Sequence, residues 1–165
     1  MPVQPVRLWP DPVLQEVAAP VTDPAAVQSL IADLFDTMYA APGRGLAAPQ
    51  IGVLARVFVM DAGWRTGAHT PRVCLNPRIL SASETLESGE EACLSVPGVS
   101  TAVTRPEQIV LEYADATGAT QVEELNGAEA RIAQHELDHL DGTMHFDRIA
   151  APDRAALLKD YGIHP

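Results

Sequence analysis

The chain has 165 residues, of which 47% are apolar and 20% charged, and its formal net charge is −11. This length and composition predict a soluble globular protein with one domain over residues 1–165. The acidic charge disfavours the phosphate backbone of nucleic acids and anionic membrane surfaces as main partners. Since the sequence has neither an apolar run that could span a bilayer nor a signal-peptide core at its start, we expect a cytoplasmic location. The sequence does not define the oligomeric state, for which a monomer is the simplest expectation.

The first third of the chain predicts one long amphipathic helix. Residues 11–18 could form a short helix, and residues 22–41 have the pattern of a clear one, which Thr22 or Asp23 can cap. Its apolar residues recur at the spacing of one helical face, and we expect that face to pack against a core. They are Val27, Leu30, Ile31, Leu34, Phe35 and Met38. Proline and glycine then end the helix, and an unusual glycine-containing loop follows at residues 43–52.

The middle of the chain predicts β-strands. Five segments are rich in strand-forming residues and are bounded by glycine, proline or aspartate. They span residues 55–62, 73–80, 99–105, 108–115 and 120–125. The sequence "ATGA" at residues 116–119 predicts a hairpin turn between the last two of them.

The last part of the chain predicts two helices. Asn126 can cap a helix over about residues 127–141, which Gly142 ends, and Pro152 and Asp153 can open a shorter helix that contains residues 154–161. A block of strands between two main helices predicts an α+β fold. We expect antiparallel or mixed β-sheets packed around the second main helix, together with the N-terminal amphipathic helix and the short C-terminal helix.

The C-terminal segment lacks the charge of an RNA-binding tail. Residues 146–165 carry three basic and three acidic side chains, so their formal side-chain charge is zero. Such a segment has little electrostatic attraction for RNA, and we expect no direct binding of nucleic acid.

The stretch "EARIAQHELDHLDG" at residues 129–142 contains the pattern H-E-x-x-H. His135 and His139 are four residues apart, so on a helix both imidazoles can reach one metal ion. Glu136 lies beside the first ligand, where a base can reach a water molecule bound to that ion. The alternative interpretation is a charged helix face in contact with solvent.

A catalytic metal usually takes three protein ligands, so a third must come from elsewhere in the chain. Asp141 follows the second histidine too closely and points away around the helix, and His145 lies beyond the helix end. Cys93 is the best candidate, because it lies in a loop bounded by glycine and proline and its thiolate is a strong ligand. The alternative for Cys93 is a small buried residue, a description that fits Cys74 better, since its neighbours alternate as in a strand.

Three separated segments resemble the signature motifs of the peptide deformylases. They are "GRGLAAPQIG" at residues 43–52, "EACLSVP" at residues 91–97 and "QHELDHLDG" at residues 134–142, in the family's order. The resemblance covers essentially the whole chain, and Cys93 falls where that family has its ligating cysteine. General H-E-x-x-H proteases use other third ligands and lack the first two motifs.

The resemblance implies an enzyme that removes the formyl group from the N-formylmethionine of nascent polypeptides. It also implies a role for each matching residue of this chain. Cys93, His135 and His139 bind the metal; Glu136 is the general base and then the acid; Gln50 and the backbone N–H of Leu94 stabilise the oxyanion; Gly43, Arg44, Gly45 and Ala92 flank the substrate.

The sequence defines the metal site more narrowly than it defines which metal binds there. One thiolate and two imidazoles suit zinc, iron, cobalt or nickel. The resemblance implies Fe²⁺ as the physiological ion, with Zn²⁺, Ni²⁺ or Co²⁺ in purified protein.

Two residues depart from the family pattern, which usually has glycine at position 92 and a small aliphatic residue at position 44. Ala92 could crowd a pocket sized for a formyl group, and a positive φ there would add strain of about 1 kcal/mol. We expect a real but slower enzyme, with Ala92 as the main cause. Arg44 should project to solvent over the pocket mouth and attract acidic groups. These departures leave two alternatives open: a metal-binding relative with weak or no deformylase activity, and hydrolysis of a different acyl group.

Overall fold

The computed structural model describes residues 3–162, which fold into three α-helices and seven β-strands. The helices are α1 (Gln28–Ala40), α2 (Gly127–Leu140) and α3 (Ala151–Gly162). The strands are β1 (Gly45–Ala47), β2 (Val57–Met60), β3 (Arg72–Ala82), β4 (Leu86–Cys93), β5 (Val96–Pro106), β6 (Gln108–Ala114) and β7 (Thr120–Asn126). One antiparallel sheet has the order β1-β2-β3-β6-β7, and β4 and β5 form a second, two-stranded sheet. The predicted α+β class is confirmed.

Helix α1 is shorter than the sequence pattern predicted. The chain forms a 3₁₀ turn at Pro24–Val27, whose preceding Asp23 accepts a hydrogen bond from the backbone N–H of Ala25 at 3.1 Å, and the α-helix begins only at Gln28. The predicted apolar stripe packs against the first strands of the large sheet, in one cluster with Leu46, Val57, Val59 and Leu75. The helix predicted at residues 11–18 is a single 3₁₀ turn at Pro12–Gln15.

Two strands, β1 and β4, were not predicted from the sequence. Strand β1 has only three residues and lies in the segment that was expected to be a loop, where Leu46 is opposite Val59 of β2. Strand β4, "LESGEEAC", is mostly polar and exposed, so it lacks the apolar content by which strands are recognised. The prediction that Cys93 lies in a loop is therefore wrong, since it is the last residue of β4.

Helix α2 lies against the large sheet and also contacts β5 of the small one. Its residues Ile132, Ala133 and Leu140 join the core that contains Phe58 and Leu111 of the sheet. The helix ends as predicted, because Gly142 follows it with a φ of 72°. Asn126 occupies the position before the helix, but its side chain makes no capping hydrogen bond, which corrects the prediction that it caps α2.

Helix α3 begins at Ala151, directly before the Pro152 and Asp153 that were predicted to open it, and packs against β5. Its Leu157 joins Leu14, Val96 and Phe146 in a third apolar cluster, which also includes Cys93. Within residues 3–162, none of the helices combines the length and the apolar character that crossing a bilayer would need.

Candidate active site

The side chains of Cys93, His135 and His139 converge between β4 and α2. One ligand atom from each lies within 4.8 Å of the other two, and all three residues are buried. Sγ of Cys93 and Nε2 of His139 are 3.3 Å apart. The i, i+4 spacing places both histidines on one face of α2, and the end of β4 brings the thiol to that face.

The other candidate ligands lie outside this group. Asp141 accepts a hydrogen bond from Nη2 of Arg56 at 2.8 Å and is half exposed. His145 is buried with its ring centroid 5.5 Å from that of His135, and its ring nitrogens have no hydrogen-bond partner among residues 3–162. Cys74 is fully buried in β3, and burial raises the pKa of its thiol. The protonated thiol is therefore favoured, which is typical of a cysteine in an apolar core.

Glu91 orients His135; it is the first residue of the second motif, but no role was predicted for it from the sequence. Its Oε1 lies 2.8 Å from Nδ1 of His135, which leaves Nε2 of the same ring free to bind a metal. Glu91 precedes Cys93 by two residues on β4, so the strand's alternation places both side chains on one face. That alternation was the available signal, but it is visible only once β4 is recognised as a strand.

Arg105 holds the carboxylate of Glu91 from the neighbouring strand β5. Its Nε and Nη2 donate to the two oxygens of Glu91 at 2.6 and 2.9 Å, and its Nη1 donates to Asp138 of α2 at 2.9 Å. Burial alone would raise the pKa of Glu91, but hydrogen bonds from Arg105 and His135 outweigh it and hold the pKa well below its usual range. Because each buried charge has a partner, the network fixes α2 against the small sheet without an isolated buried ion.

Glu136 lies at the point where β1 approaches α2. A Cβ at Gly45 would be 2.7 Å from Oε2 of Glu136 and 2.8 Å from Cγ2 of Ile132, so only glycine leaves room for the carboxylate. The carboxylate is buried, and its Oε1 has no hydrogen-bond partner among residues 3–162. Burial raises the pKa of Glu136 to about 7, so this group can gain and lose a proton near neutral pH.

Gln50 is buried beside the thiol. Its Oε1 accepts a hydrogen bond from the backbone N–H of Ala47 at 3.0 Å, which fixes the orientation of the amide. Its Nε2 donates to Oγ of Ser95 at 3.1 Å and to Sγ of Cys93 at 3.6 Å. The amide N–H₂ of Gln50 is therefore aimed at the cysteine.

The two histidines differ electrostatically. Burial lowers the pKa of His139, which favours the neutral imidazole that binds metals. Burial opposes charge on His135 as well, but its hydrogen bonds with Cys93 and Glu91 outweigh that effect and raise its pKa. A metal cation competes with the proton on these groups, so metal affinity should depend on pH.

A cavity of about 800 Å³ opens beside these residues, with His135 and Glu136 in its lining. The four residues predicted to flank a substrate all line it, namely Gly43, Arg44, Gly45 and Ala92. Leu94 lines it too, and its Cδ1 would be 2.9 Å from a Cβ at position 43. The glycine at position 43 thus lets the first loop pack closely on Leu94.

Arg44 and Ala92, the two departures from the family pattern, are both exposed in this cavity wall. Ala92 is an ordinary residue of β4, opposite Ser100 of β5. Among residues 3–162 the only non-glycine residue with a positive φ is Asn76, so the condition under which Ala92 would carry backbone strain is not met.

Comparison with known proteins agrees with this geometry. The family model described as polypeptide deformylase matches residues 3–155. The peptide deformylase of Chlorobaculum parvum is 43% identical over 160 residues, which cover 95% of this chain and 85% of that protein. The crystal structure of peptide deformylase from Thermus thermophilus superposes with a TM-score of 0.91 at 44% identity, covering 98% of this chain and 94% of the other. The crystal structure of peptide deformylase from Ehrlichia chaffeensis in complex with actinonin superposes with a TM-score of 0.91 at 32% identity, covering 97% of this chain and 96% of the other. The chain therefore belongs to the polypeptide deformylase family of metal-dependent hydrolases.

Proposed function

We propose that this protein is a peptide deformylase that removes the formyl group from N-formylmethionyl peptides at the ends of nascent chains. The observation that carries the proposal is the grouping of Cys93, His135 and His139 beside the buried carboxylate of Glu136, at a cavity open to solvent. Nascent chains are made in the cytoplasm, and we propose this location for the enzyme. We also take residues 1–165 as one domain, because the site draws on both β1 near the start and α2 near the end.

The three ligand residues fit a divalent metal. They offer one thiolate and two imidazoles within 4.8 Å of one another, and the carboxylate of Glu91 fixes the ring of His135. We propose Fe²⁺ as the physiological ion, and the same donors would accept Zn²⁺, Ni²⁺ or Co²⁺. When bound, such an ion supplies Lewis acidity and lowers the pKa of a water molecule at the site.

Glu136 is the proposed general base and acid. Its pKa of about 7 lets its carboxylate accept a proton from the attacking water at neutral pH. The protonated carboxyl can then donate that proton to the amine of the departing peptide. Strand β1 approaches this carboxylate so closely that a Cβ at Gly45 would meet it, which limits the positions that the carboxylate can take.

Gln50 and the backbone N–H of Leu94 are the proposed donors to the formyl oxygen as it gains negative charge. The amide of Gln50 is already fixed by Ala47 and Ser95, and Leu94 immediately follows the proposed ligand Cys93. Donors that are fixed before the reaction stabilise developing charge by roughly 3–4 kcal/mol each.

Strand β1 is the proposed docking edge for the peptide. It is the first strand in the order of the large sheet, so one of its edges has no neighbouring strand in that sheet. An extended peptide can add to such an edge through main-chain hydrogen bonds. The apolar side chains of Leu94 and Ile132 line the cavity nearby and provide contacts for the methionine side chain.

Formate release tests the proposal directly. The metal-loaded protein should release formate from formyl-Met-Ala-Ser and leave acetyl-Met-Ala-Ser intact, because the acetyl methyl group does not fit a formyl-sized site. Metal binding without formate release would favour the alternative of a metal-binding relative without deformylase activity. Acetate release would favour hydrolysis of another acyl group.

A further inference from the structure

We propose that Arg44 and Arg65 form a pair of cations at the cavity mouth that selects substrates with acidic residues directly after the formylmethionine. This inference rests on the proposed deformylase activity and concerns the substrate preference of the same site. Both residues line the cavity, and both are exposed.

The first observation is the pattern of ion pairing. The chain has ten arginines, all within residues 3–162, and eight of them have a carboxylate within 4.0 Å. The remaining two are Arg44 and Arg65, although acidic residues outnumber basic ones by 22 to 11 in this protein. Two unpaired guanidinium groups at one cavity mouth are thus available to a carboxylate from outside the chain.

Arg44 is placed beside the proposed path of the peptide. It directly precedes β1, and its backbone carbonyl accepts a hydrogen bond from the N–H of Asp61 at 2.9 Å. Within residues 3–162 its guanidinium has no hydrogen-bond partner. A peptide that extends along β1 would therefore bring its first side chains after methionine close to this cation.

Arg65 belongs to a neighbouring segment that is fixed to the same loop. Nε1 of Trp64 donates to the carbonyl of Gly43 at 2.7 Å, and Trp64 makes an edge-on contact with Tyr39 at a centroid distance of 5.1 Å. The guanidinium of Arg65 donates to the carbonyl of Pro42. These contacts fix Arg65 to the two residues that precede Arg44, and both arginines line the same cavity.

The buried carboxylate of Asp61 fixes both ends of the segment that carries Arg65. It accepts hydrogen bonds from the hydroxyl of Tyr39 at 2.6 Å and from the N–H of Thr70 at 2.9 Å. Burial would raise the pKa of Asp61, but these bonds and His69 outweigh it and lower the pKa. Asp61 thus stays ionised at neutral pH, and the segment keeps its position.

The other charges in the cavity lining do not provide the same attraction. Arg131 is held by Glu91 at 2.7 Å and by three backbone carbonyls, so its donors are occupied. Glu90 is exposed on β4 and has no ion-pair partner among residues 3–162, so it could attract a basic side chain. The cavity mouth thus has two exposed cations, Arg44 and Arg65, and one exposed carboxylate, that of Glu90. Since Arg44 also lies next to β1, we expect the site to favour an acidic substrate residue.

Peptides that differ only in charge test this proposal. We would compare kcat/KM for formyl-Met-Glu-Glu-Ser-amide, formyl-Met-Gln-Gln-Ser-amide and formyl-Met-Lys-Lys-Ser-amide with the metal-loaded protein. The Glu-Glu peptide should exceed the Gln-Gln peptide by about threefold to tenfold at low salt, and the ratio should fall toward one as salt screens the charges. The double variant Arg44→Gln, Arg65→Gln should bring the low-salt ratio to about one. Lys159→Gln is the matched control, because it removes an exposed cation on α3 that does not line the cavity.

The other outcomes of this experiment show which of the two proposals is wrong, the charge selectivity or the deformylase activity. A ratio of one in the unmodified protein, a ratio that survives in the double variant, or a preference for the Lys-Lys peptide would overturn the role of Arg44 and Arg65 alone. A failure to release formate from any of the three peptides would overturn the deformylase proposal and this inference with it.

Discussion

Oε1 of Glu91 lies 2.8 Å from Nδ1 of His135, so a carboxylate on β4 sets the orientation of an imidazole on α2. The thiol of Cys93 extends from the same strand face, two residues further along. One strand thus supplies both a proposed ligand and the group that orients another ligand. Partners of this kind fix the tautomer of a ligating histidine and increase its affinity for the metal.

Removal of the Glu91 carboxylate should weaken metal binding although Glu91 is not a ligand. We expect Glu91→Gln to lower the affinity by about tenfold to a hundredfold. Competition with a chelator of known affinity measures this change. Glu90→Gln is the matched control, since Glu90 is exposed on the same strand next to Glu91. Equal affinity of Glu91→Gln and the unmodified protein would contradict the proposed role.

A methyl group at position 45 should impair the reaction more than it impairs folding. In Gly45→Ala the new Cβ would meet Glu136 and Ile132, and the carboxylate would have to move. We expect kcat/KM to fall by at least about tenfold, because small displacements of a reacting group are costly. Overpacking should lower the free energy of unfolding by about 1–3 kcal/mol.

Formate release, metal content and urea unfolding together separate these effects at Gly45. Gly162→Ala serves as the control, because a Cβ there meets no atom within 4 Å. If Gly45→Ala retained full activity, the contact between β1 and Glu136 would have no part in positioning the base.

The two cysteines should respond differently to the same substitution. Cys93→Ser should lose metal and activity, because a neutral hydroxyl replaces a thiolate ligand. Cys74→Ser should keep both and lower the free energy of unfolding by about 1–3 kcal/mol, because it buries a hydroxyl in an apolar core. Metal analysis and urea unfolding of both variants measure the difference. The opposite pattern would place the metal site at Cys74.

The expected slow turnover now rests on the size of the Ala92 methyl group and not on backbone strain. It lines the cavity directly before Cys93, and its methyl group occupies space that glycine would leave free. We expect Ala92→Gly to raise kcat/KM on formyl-Met-Ala-Ser, because it removes the methyl group from the cavity. The backbone at this position is unstrained, so relief of backbone strain would not contribute to the increase. A Gly variant no faster than the unmodified protein would show that the methyl group does not hinder the substrate.

The helices and most of the strands could be predicted from the sequence, because their signals are local. The apolar stripe of α1 and the H-E-x-x-H spacing of α2 each depend on residues within one element. Strands β1 and β4 could not be predicted: one is only three residues long, and the other is mostly polar and exposed. Both are held by pairing with the next strand along the chain, β1 with β2 and β4 with β5, and have little propensity of their own.

The proposed ligands could be identified from the sequence, whereas the residues that support them could not. The motifs place Cys93 and the histidines, but Arg105 links Glu91 of the paired strand to Asp138 on α2, and this link forms only when the helix packs against the small sheet. Nothing local distinguishes Arg105 from the other arginines. Gly45 was identified from its motif, but its approach to Glu136 arises only when β1 packs against α2.

The central claim is that Glu136 performs proton transfer beside a metal that it does not bind. The most direct test measures metal content and formate release on the same preparation of Glu136→Gln, which keeps the size of the side chain beside Gly45. We predict a full complement of metal and a loss of kcat/KM of about 10²–10⁴-fold. Near-normal formate release by the metal-loaded variant would contradict the account, and so would loss of the metal together with the activity.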